Sequence, residues 1–252
     1  MLELSEGSPL PGLGLIGFGA FGRLMARHLA PHFRLLVHDV APGLAPEPGV
    51  TFTGLATAAR CRIVVLAVPV DRLGEAIAAL RPHLRPGTVV VDVGSVKVVP
   101  ARIMLEALPP DVDIVGTHPL FGPQSARAGI AGLKLALCQV RGRSAFRVAA
   151  FLRRHLRLRV ILTTPEKHDR EMAVAQGLTH LIAAVLVRME PLPTHMTTRS
   201  FDLLMQAVEM VRHDAPGVFE AIERGNPYAA AVRDRFLGLT AGLRETLDHP
   251  AG

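Results

Sequence analysis

The sequence predicts an α/β protein in which a doubly wound, mostly parallel sheet is followed by a smaller all-α domain. Two observations carry this prediction. Short apolar runs alternate with amphipathic helical segments over residues 1–164, as in a parallel sheet covered by helices on both faces. Over residues 165–252 we find helical stretches separated by proline turns and no convincing strand. We therefore place the domain boundary after residue 164.

The composition is typical of a globular intracellular protein. With 252 residues, 49% of them apolar, the chain can bury a substantial core, and its apolar runs are too short to span a membrane. Its two cysteines lie in apolar runs without metal-ligand spacing, so we expect reduced core thiols and a cytoplasmic location. The net charge of +6 raises the question of nucleic acid. The arginines between residues 141 and 159 alternate with apolar residues at helical spacing, which favours a solvated helix face over nucleic-acid binding.

Seven apolar runs in the first domain have the length of buried strands. They cover residues 13–17, 34–39, 62–68, 88–93, 112–116, 134–140 and 158–163. Helical periodicity follows the first run from Phe21 to Leu29 and recurs over residues 144–156. Asp71 is placed to cap a further helix whose inner face runs from Leu73 to Leu80.

Residues 165–188 form one long predicted helix that is apolar around much of its circumference. A lone helix of 24 residues on a small domain has too few neighbours to bury all of that surface. We therefore expect the helical domain to form the interface of a homodimer.

Three glycines between residues 17 and 22 form a G-x-G-x-x-G loop between the first strand and the first helix. Such glycines allow a tight turn and let a pyrophosphate approach the helix N-terminus, and the carboxylate of Asp39 can bind ribose hydroxyls. This context predicts a Rossmann-like site for NAD. NADP stays possible through Arg60 or Arg62, although Asp39 would repel a 2′-phosphate. The residues that we expect at the cofactor are Gly17, Phe18, Gly19, Ala20, Phe21, Gly22, Asp39, Val68 and Pro69.

Ser95 and His118 each follow a predicted strand, so both lie at the carboxyl edge of the sheet, where doubly wound folds place their active sites. Ser95 alone is equally consistent with a helix cap or a turn. His118 lies between Thr117 and Pro119 on a constrained loop, where an imidazole is a poor packing group but a suitable acid or base near neutral pH. We therefore expect His118 to be catalytic.

On the long helix, Asp169, Gln176 and His180 are spaced by seven and four residues and share one polar face. This face contacts either the substrate or a polar network between helices. A metal site formed by His168, Asp169 and His180 is disfavoured, because His168 lies about 120° around the helix from His180. We therefore expect no metal.

These motifs resemble the prephenate/arogenate dehydrogenases of tyrosine biosynthesis. The likeness rests on the glycine loop, on Asp-Val-Gly-Ser-Val-Lys at residues 92–97, on Thr-His-Pro-Leu-Phe-Gly-Pro at residues 117–123, and on His168-Asp169 through Gln176 to Thr179-His180. The Phe-Gly-Pro-Gln-Ser run places the chain nearer to the plant-type arogenate enzymes. The likeness weakens after Met189.

The resemblance implies oxidative decarboxylation of arogenate to tyrosine, or of prephenate to 4-hydroxyphenylpyruvate, with hydride transfer to a nicotinamide cofactor. His118 would then accept the proton of the ring hydroxyl, and Ser95 would orient His118 and the nicotinamide. Gln176, Thr179 and His180 would line the substrate pocket.

One departure from the family bears on specificity. Many prephenate-specific members have an arginine on a later helix, whereas this chain has Glu209 at about that position. If Glu209 faces the pocket, it would attract the ammonium of arogenate. A desolvated ion pair of about 1.5 to 3 kcal/mol corresponds to roughly tenfold to 150-fold discrimination.

Two other classes share parts of this pattern. The β-hydroxyacid dehydrogenases combine a Rossmann domain with a helical domain but use a lysine on the long helix, where this chain has only Lys167 at the helix start. A non-catalytic, dinucleotide-sensing regulator would instead bind nucleic acid through its basic helix.

Overall fold

The computed structural model describes residues 10–45 and 47–248. The start of the first predicted domain and the end of the second therefore lie outside the described residues. The strands are β1 (Gly12–Ile16), β2 (Arg34–His38), β3 (Val50–Phe52), β4 (Ile63–Leu66), β5 (Val89–Asp92), β6 (Asp113–Pro119), β7 (Lys134–Arg141) and β8 (Arg159–Thr163). The first five helices are α1 (Ala20–Leu29), α2 (Leu55–Ala59), α3 (Leu73–Leu80), α4 (Val98–Ala107) and α5 (Ala145–Arg154). The remaining helices are α6 (Pro165–Arg188), α7 (Arg199–Val211), α8 (Pro216–Glu223) and α9 (Ala229–Asp248).

The eight strands form one sheet in the order β3-β2-β1-β4-β5-β6-β7-β8. Every pair of neighbours is parallel except β6 and β7, which are antiparallel. The strand order reverses between β1 and β4, and ligands of doubly wound folds bind outside the carboxyl ends of the strands at such a switch point. The predicted α/β fold with a doubly wound, mostly parallel sheet is therefore confirmed.

The sheet has a hydrophobic core on each face, because alternate residues of its strands point to opposite sides. Leu13 and Leu15 of β1 belong to the core that α1 and α5 cover, while Ile16 belongs to the core that α2, α3 and α4 cover. Strand residues buried on both faces explain why these strands appear in the sequence as continuous apolar runs.

Three elements, β3, α2 and α4, were not predicted. Two of them, β3 and α2, span three and five residues, which is too short for a periodicity to develop. The predicted cap at Asp71 is wrong, because residues 70–72 form a 3₁₀ turn and α3 begins at Leu73 without a side-chain cap. The inner face of α3 is as expected, with Leu73, Ile77 and Leu80 buried.

The described residues after Thr163 are helical or form turns, as expected, and α6 has the predicted bounds. It packs against α4, α7, α8 and α9. By length and composition α6 is the one described helix that passes as a candidate membrane span, and 22% of the window that passes is buried. Its buried residues include His168, Asp169 and His180, each of which is hydrogen-bonded to a residue outside α6.

Candidate active site

The glycine loop that follows β1 has the geometry of a dinucleotide site. Gly17 has a φ of 98°, and a Cβ there would lie 2.4 Å from the carbonyl oxygen of Ala67. A Cβ on Gly22 would lie 2.5 Å from the carbonyl oxygen of Gly17, so this glycine allows α1 to pack closely on the loop. A Cβ on Gly19 would meet nothing within 4 Å, which leaves the N-terminus of α1 open to a ligand.

Asp39, directly after β2, is held against this loop. One carboxylate oxygen accepts a hydrogen bond from the backbone N–H of Phe18 at 2.5 Å, and the other accepts one from the N–H of Ala41 at 2.7 Å. Val68 and Pro69 follow β4, the neighbour of β1, and lie at the same edge of the sheet. The structure therefore brings the expected cofactor residues together at the switch point.

The ends of β5 and β6 are fastened to each other beside this crevice. The hydroxyl of Thr117 donates to the carbonyl oxygen of Asp92 at 2.8 Å. Ser95 follows on the loop between β5 and α4 and is half-buried, whereas His118 in β6 is only 5% exposed. Both lie at the carboxyl edge as expected, although no hydrogen bond joins them within the described part of the chain.

The partner of His118 is instead His168 at the start of α6. The two rings approach with His118 Nδ1 2.9 Å from His168 Nε2. His168 Nδ1 lies 2.7 Å from a carboxylate oxygen of Asp169. Burial first, and then His168 and Lys97, lower the pKa of His118 well below its usual value, so its neutral form is favoured.

Asp169 connects this cluster to α4. Its carboxylate oxygens accept hydrogen bonds from the backbone N–H groups of Lys97 and Val98, each at 2.8 Å, and thereby cap the N-terminus of α4. Asp169 is 0% exposed. Of the two interpretations of this polar face, the contacts of Asp169 fit the polar network between helices.

Lys97 and Asp92 form a buried ion pair beneath the site. Their side chains are 1% and 4% exposed. Asp92 also accepts a hydrogen bond from the N–H of Gly94 at 2.9 Å. Sequence reasoning did not assign roles to Lys97 or Asp92, although both belong to the Asp-Val-Gly-Ser-Val-Lys motif.

A second polar group lies farther along α6. His180 Nε2 is 3.2 Å from a carboxylate oxygen of Asp214, and its Nδ1 is 3.0 Å from the carbonyl oxygen of Gln176. A Cβ on Gly122 would lie 3.7 Å from Asp214, so this group adjoins the loop that follows β6. Asp214 was missed because it follows α7 without any motif.

The other expected substrate residues differ in their surroundings. Gln176 Oε1 is buried and has no hydrogen-bond partner within the described chain. The hydroxyl of Thr179 donates to the carbonyl oxygen of Ala175 in its own helix. Glu209 has a side chain that is 61% exposed and pairs with Arg212 and His213.

The remaining candidate groups have structural surroundings. Among the described residues, no three His, Cys, Asp or Glu side chains are grouped so as to hold a metal ion. Both cysteines are buried and free, and burial raises the pKa of the Cys138 thiol to about 12. Within the arginine run, Arg141 donates to the carbonyl oxygen of Val112 and Arg153 to that of Val160.

Residues 44–138 match the family model of the prephenate dehydrogenase nucleotide-binding domain, so this part is similar to a known nucleotide-binding domain. The chain is 27% identical over 245 residues to a probable arogenate/prephenate dehydrogenase of Methanocaldococcus jannaschii, covering 91% of this chain and 55% of the relative. It is 27% identical over 247 residues to the chloroplastic arogenate dehydrogenase 1 of Arabidopsis thaliana, covering 93% of this chain and 38% of that protein. The chain thus spans about half or less of the length of these relatives.

The fold is similar to that of solved dehydrogenases. Prephenate dehydrogenase from Aquifex aeolicus, in complex with hydroxyphenyl propionate and NAD+, has a TM-score of 0.71 at 19% identity and covers 96% of this chain and 92% of that chain. Synechocystis arogenate dehydrogenase has a TM-score of 0.63 at 19% identity and covers 95% of this chain and 94% of that chain. The predicted resemblance to prephenate/arogenate dehydrogenases is therefore confirmed. The glycine loop precedes the matched residues 44–138.

Proposed function

We propose that the protein is an NAD(P)-dependent dehydrogenase that oxidatively decarboxylates arogenate, prephenate or both. The observation that carries the proposal is His118: a buried, neutral imidazole at the carboxyl edge of β6, on the same edge as a glycine loop built for a dinucleotide. The bound nicotinamide would accept a hydride from the ring carbon that bears the hydroxyl. The comparisons support this reaction class.

His118 has the properties of the proton acceptor in such a reaction. As the hydride leaves, the ring carbon gains positive character, and removal of the hydroxyl proton turns the C–OH group into a developing carbonyl. Loss of the ring carboxylate as carbon dioxide then leaves an aromatic ring. The lowered pKa of His118 keeps the imidazole unprotonated, and thus able to accept a proton, across the neutral range.

The groups on α6 supply polar contacts for the substrate. The unpartnered Oε1 of Gln176 is an acceptor for a hydroxyl or ammonium donor. His180, one turn farther along the helix, faces Asp214 through Nε2 and the carbonyl oxygen of Gln176 through Nδ1, and we place its ring beside the substrate. Ser95 and Thr179 complete the proposed site, with Ser95 near the nicotinamide.

We propose NAD as the preferred cofactor. Asp39 is oriented by two backbone N–H groups and would meet the ribose hydroxyls as a carboxylate. Arg23 stacks on Phe18 of this loop and is paired with Glu47, so its charge is already engaged by a carboxylate.

For the substrate, we propose a preference for arogenate. Glu209 would favour arogenate if its side chain turns toward the ammonium group of the substrate. Asp214, which contacts His180, is a second acidic group that could do the same. A carboxylate beside the side-chain amine would favour the amino acid over the keto acid.

The alternative β-hydroxyacid chemistry is disfavoured by the position of Lys167. Its side chain is 70% exposed and faces Glu171 at 4.0 Å, on the outer side of α6. His168, the next residue, faces the site instead.

We also propose a cytoplasmic homodimer formed through the helical domain. Apolar side chains remain exposed on three of its helices, and their burial would favour association. They include Val174, Val185, Leu203, Met210, Leu239 and Leu243. The two buried free thiols fit a reducing compartment.

The test is NADH formation by the purified protein with arogenate and prephenate in parallel, using NAD+ and NADP+ in turn. We expect turnover of arogenate that is lost in His118→Ala, and relaxed selectivity in Glu209→Gln. No reduction of either cofactor with either substrate would contradict the proposed reaction. In that case, DNA binding that weakens steeply with salt would favour the regulator.

A further inference from the structure

We propose that His168 is a positioning residue that fixes His118 in its Nδ1–H tautomer, so that the lone pair of Nε2 points to the substrate. The inference rests on the proposed function for its catalytic consequence. The tautomer itself is a property of the free protein and can be measured without any activity.

The hydrogen-bond partners of Asp169 fix its carboxylate oxygens as acceptors. The backbone N–H groups of Lys97 and Val98 can only donate, so both carboxylate oxygens of Asp169 act as acceptors. His168 Nδ1 lies 2.7 Å from one of these oxygens and must therefore be the N–H donor.

The tautomer of His118 follows from that of His168. A neutral His168 that carries its proton on Nδ1 has a lone pair on Nε2. His118 Nδ1 lies 2.9 Å from this atom, so it must donate its own N–H. His118 Nε2 then carries the lone pair, and it has no hydrogen-bond partner within the described part of the chain.

The opposite arrangement would make His118 useless as a base. If His168 were an imidazolium, its Nε2–H would donate to His118 Nδ1, and the proton of His118 would lie on Nε2. Asp169 thus fixes the Nδ1–H of His168, and a neutral His168 then leaves Nε2 of His118 as the nitrogen that accepts a proton. A positioned general base contributes roughly 10²- to 10⁴-fold in rate, and a catalytic histidine in the wrong tautomer loses about 10⁴-fold in kcat.

Two substitutions of His168 separate this role from simple packing. His168→Gln places an amide near the position of Nε2, where its oxygen can accept from His118. His168→Asn places an amide near the position of Nδ1, where it can still donate to Asp169 but does not reach His118. The proposal therefore expects kcat to fall less than about tenfold in His168→Gln but about 100-fold or more in His168→Asn. A merely structural role through Asp169 would favour the asparagine variant.

The first readout is the ¹⁵N spectrum of the His118 ring in the free protein near pH 8, assigned by comparison with His118→Asn. We expect an Nδ1–H tautomer in the wild type and in His168→Gln, and its loss in His168→Asn. The second readout is kcat and KM with NAD+ and arogenate. An Nε2–H tautomer in the wild type, or an asparagine variant as active as the glutamine variant, would overturn the proposal. If the wild type turns over no substrate, the proposed function fails while the ¹⁵N spectra still decide the tautomer.

Discussion

Replacing Lys97 by methionine should destabilise the protein strongly, because it leaves a buried carboxylate without its cation. Lys97 and Asp92 are 1% and 4% exposed, so water cannot replace the lost ammonium. Breaking a buried ion pair on one side costs about 3–5 kcal/mol. Total stabilities of domains are about 5–15 kcal/mol, so this loss is a large fraction of the whole.

The assay is urea denaturation followed by circular dichroism. With a slope of about 3 kcal/mol per molar urea, the midpoint should fall by about 1 M or more. The matched control is Lys167→Met, since Lys167 is 70% exposed and its partner lies 4.0 Å away. That change should cost at most about 1 kcal/mol.

The double variant Lys97→Met/Asp92→Asn separates the unpaired charge from lost packing. The asparagine side chain that replaces Asp92 is neutral and can still accept from the N–H of Gly94, so part of the stability should return. If the single variant loses less than about 1 kcal/mol, or if the double variant is no more stable than the single one, the charge argument is refuted.

Three further predictions concern the loop, the base and the pocket. Gly17→Ala should lower the free energy of unfolding by about 2–4 kcal/mol in urea denaturation, because the φ of Gly17 is 98° and a Cβ there would lie 2.4 Å from a carbonyl oxygen. Gly19→Ala should leave the free energy of unfolding unchanged but weaken NAD+ binding in calorimetry, because a Cβ there meets no protein atom within 4 Å. Equal effects of these two changes would contradict the geometry. For His118, the lowered folded pKa means that the unfolded chain binds the proton first as pH falls through about 6.5. The stability of the wild type relative to His118→Asn should therefore be complete above that pH and decline below it by up to about 1.4 kcal/mol per pH unit, and a pH-independent difference would exclude this account. Asp214→Ala removes the partner of His180 Nε2 and should raise KM for the substrate about tenfold or more with a smaller change in kcat; an unchanged KM would place His180 outside the pocket.

Much of the fold was accessible from the sequence because strands buried on both faces have a distinctive composition. The run at residues 62–68, for example, contains β4, and its apolar side chains fill the cores on the two sides of the sheet. The glycine loop was accessible for a similar reason, since Gly17 and Gly22 each occupy a backbone position that excludes a side chain. Short elements such as β3 depend on their neighbours in the sheet rather than on a local pattern.

The polar network was not accessible in the same way. Helical spacing correctly placed Asp169 on a polar face, but its partners at Lys97 and Val98 are 72 and 71 residues away. Asp214 likewise reaches His180 across 34 residues of chain. Such pairings depend on how α6 lies across the sheet, which no local pattern in one sequence encodes.

The capping of α4 by Asp169 means that the nucleotide-binding half is not chemically complete by itself. A chain cut after residue 164 would retain the glycine loop and the sheet, but the first N–H groups of α4 would lose their acceptor and His118 would lose its neighbour. Such a fragment would keep the residues proposed to bind the cofactor but would lack His168, which positions the ring of His118. The two halves are therefore coupled, because any shift of α6 against the sheet acts on the start of α4 and on the ring of His118 together.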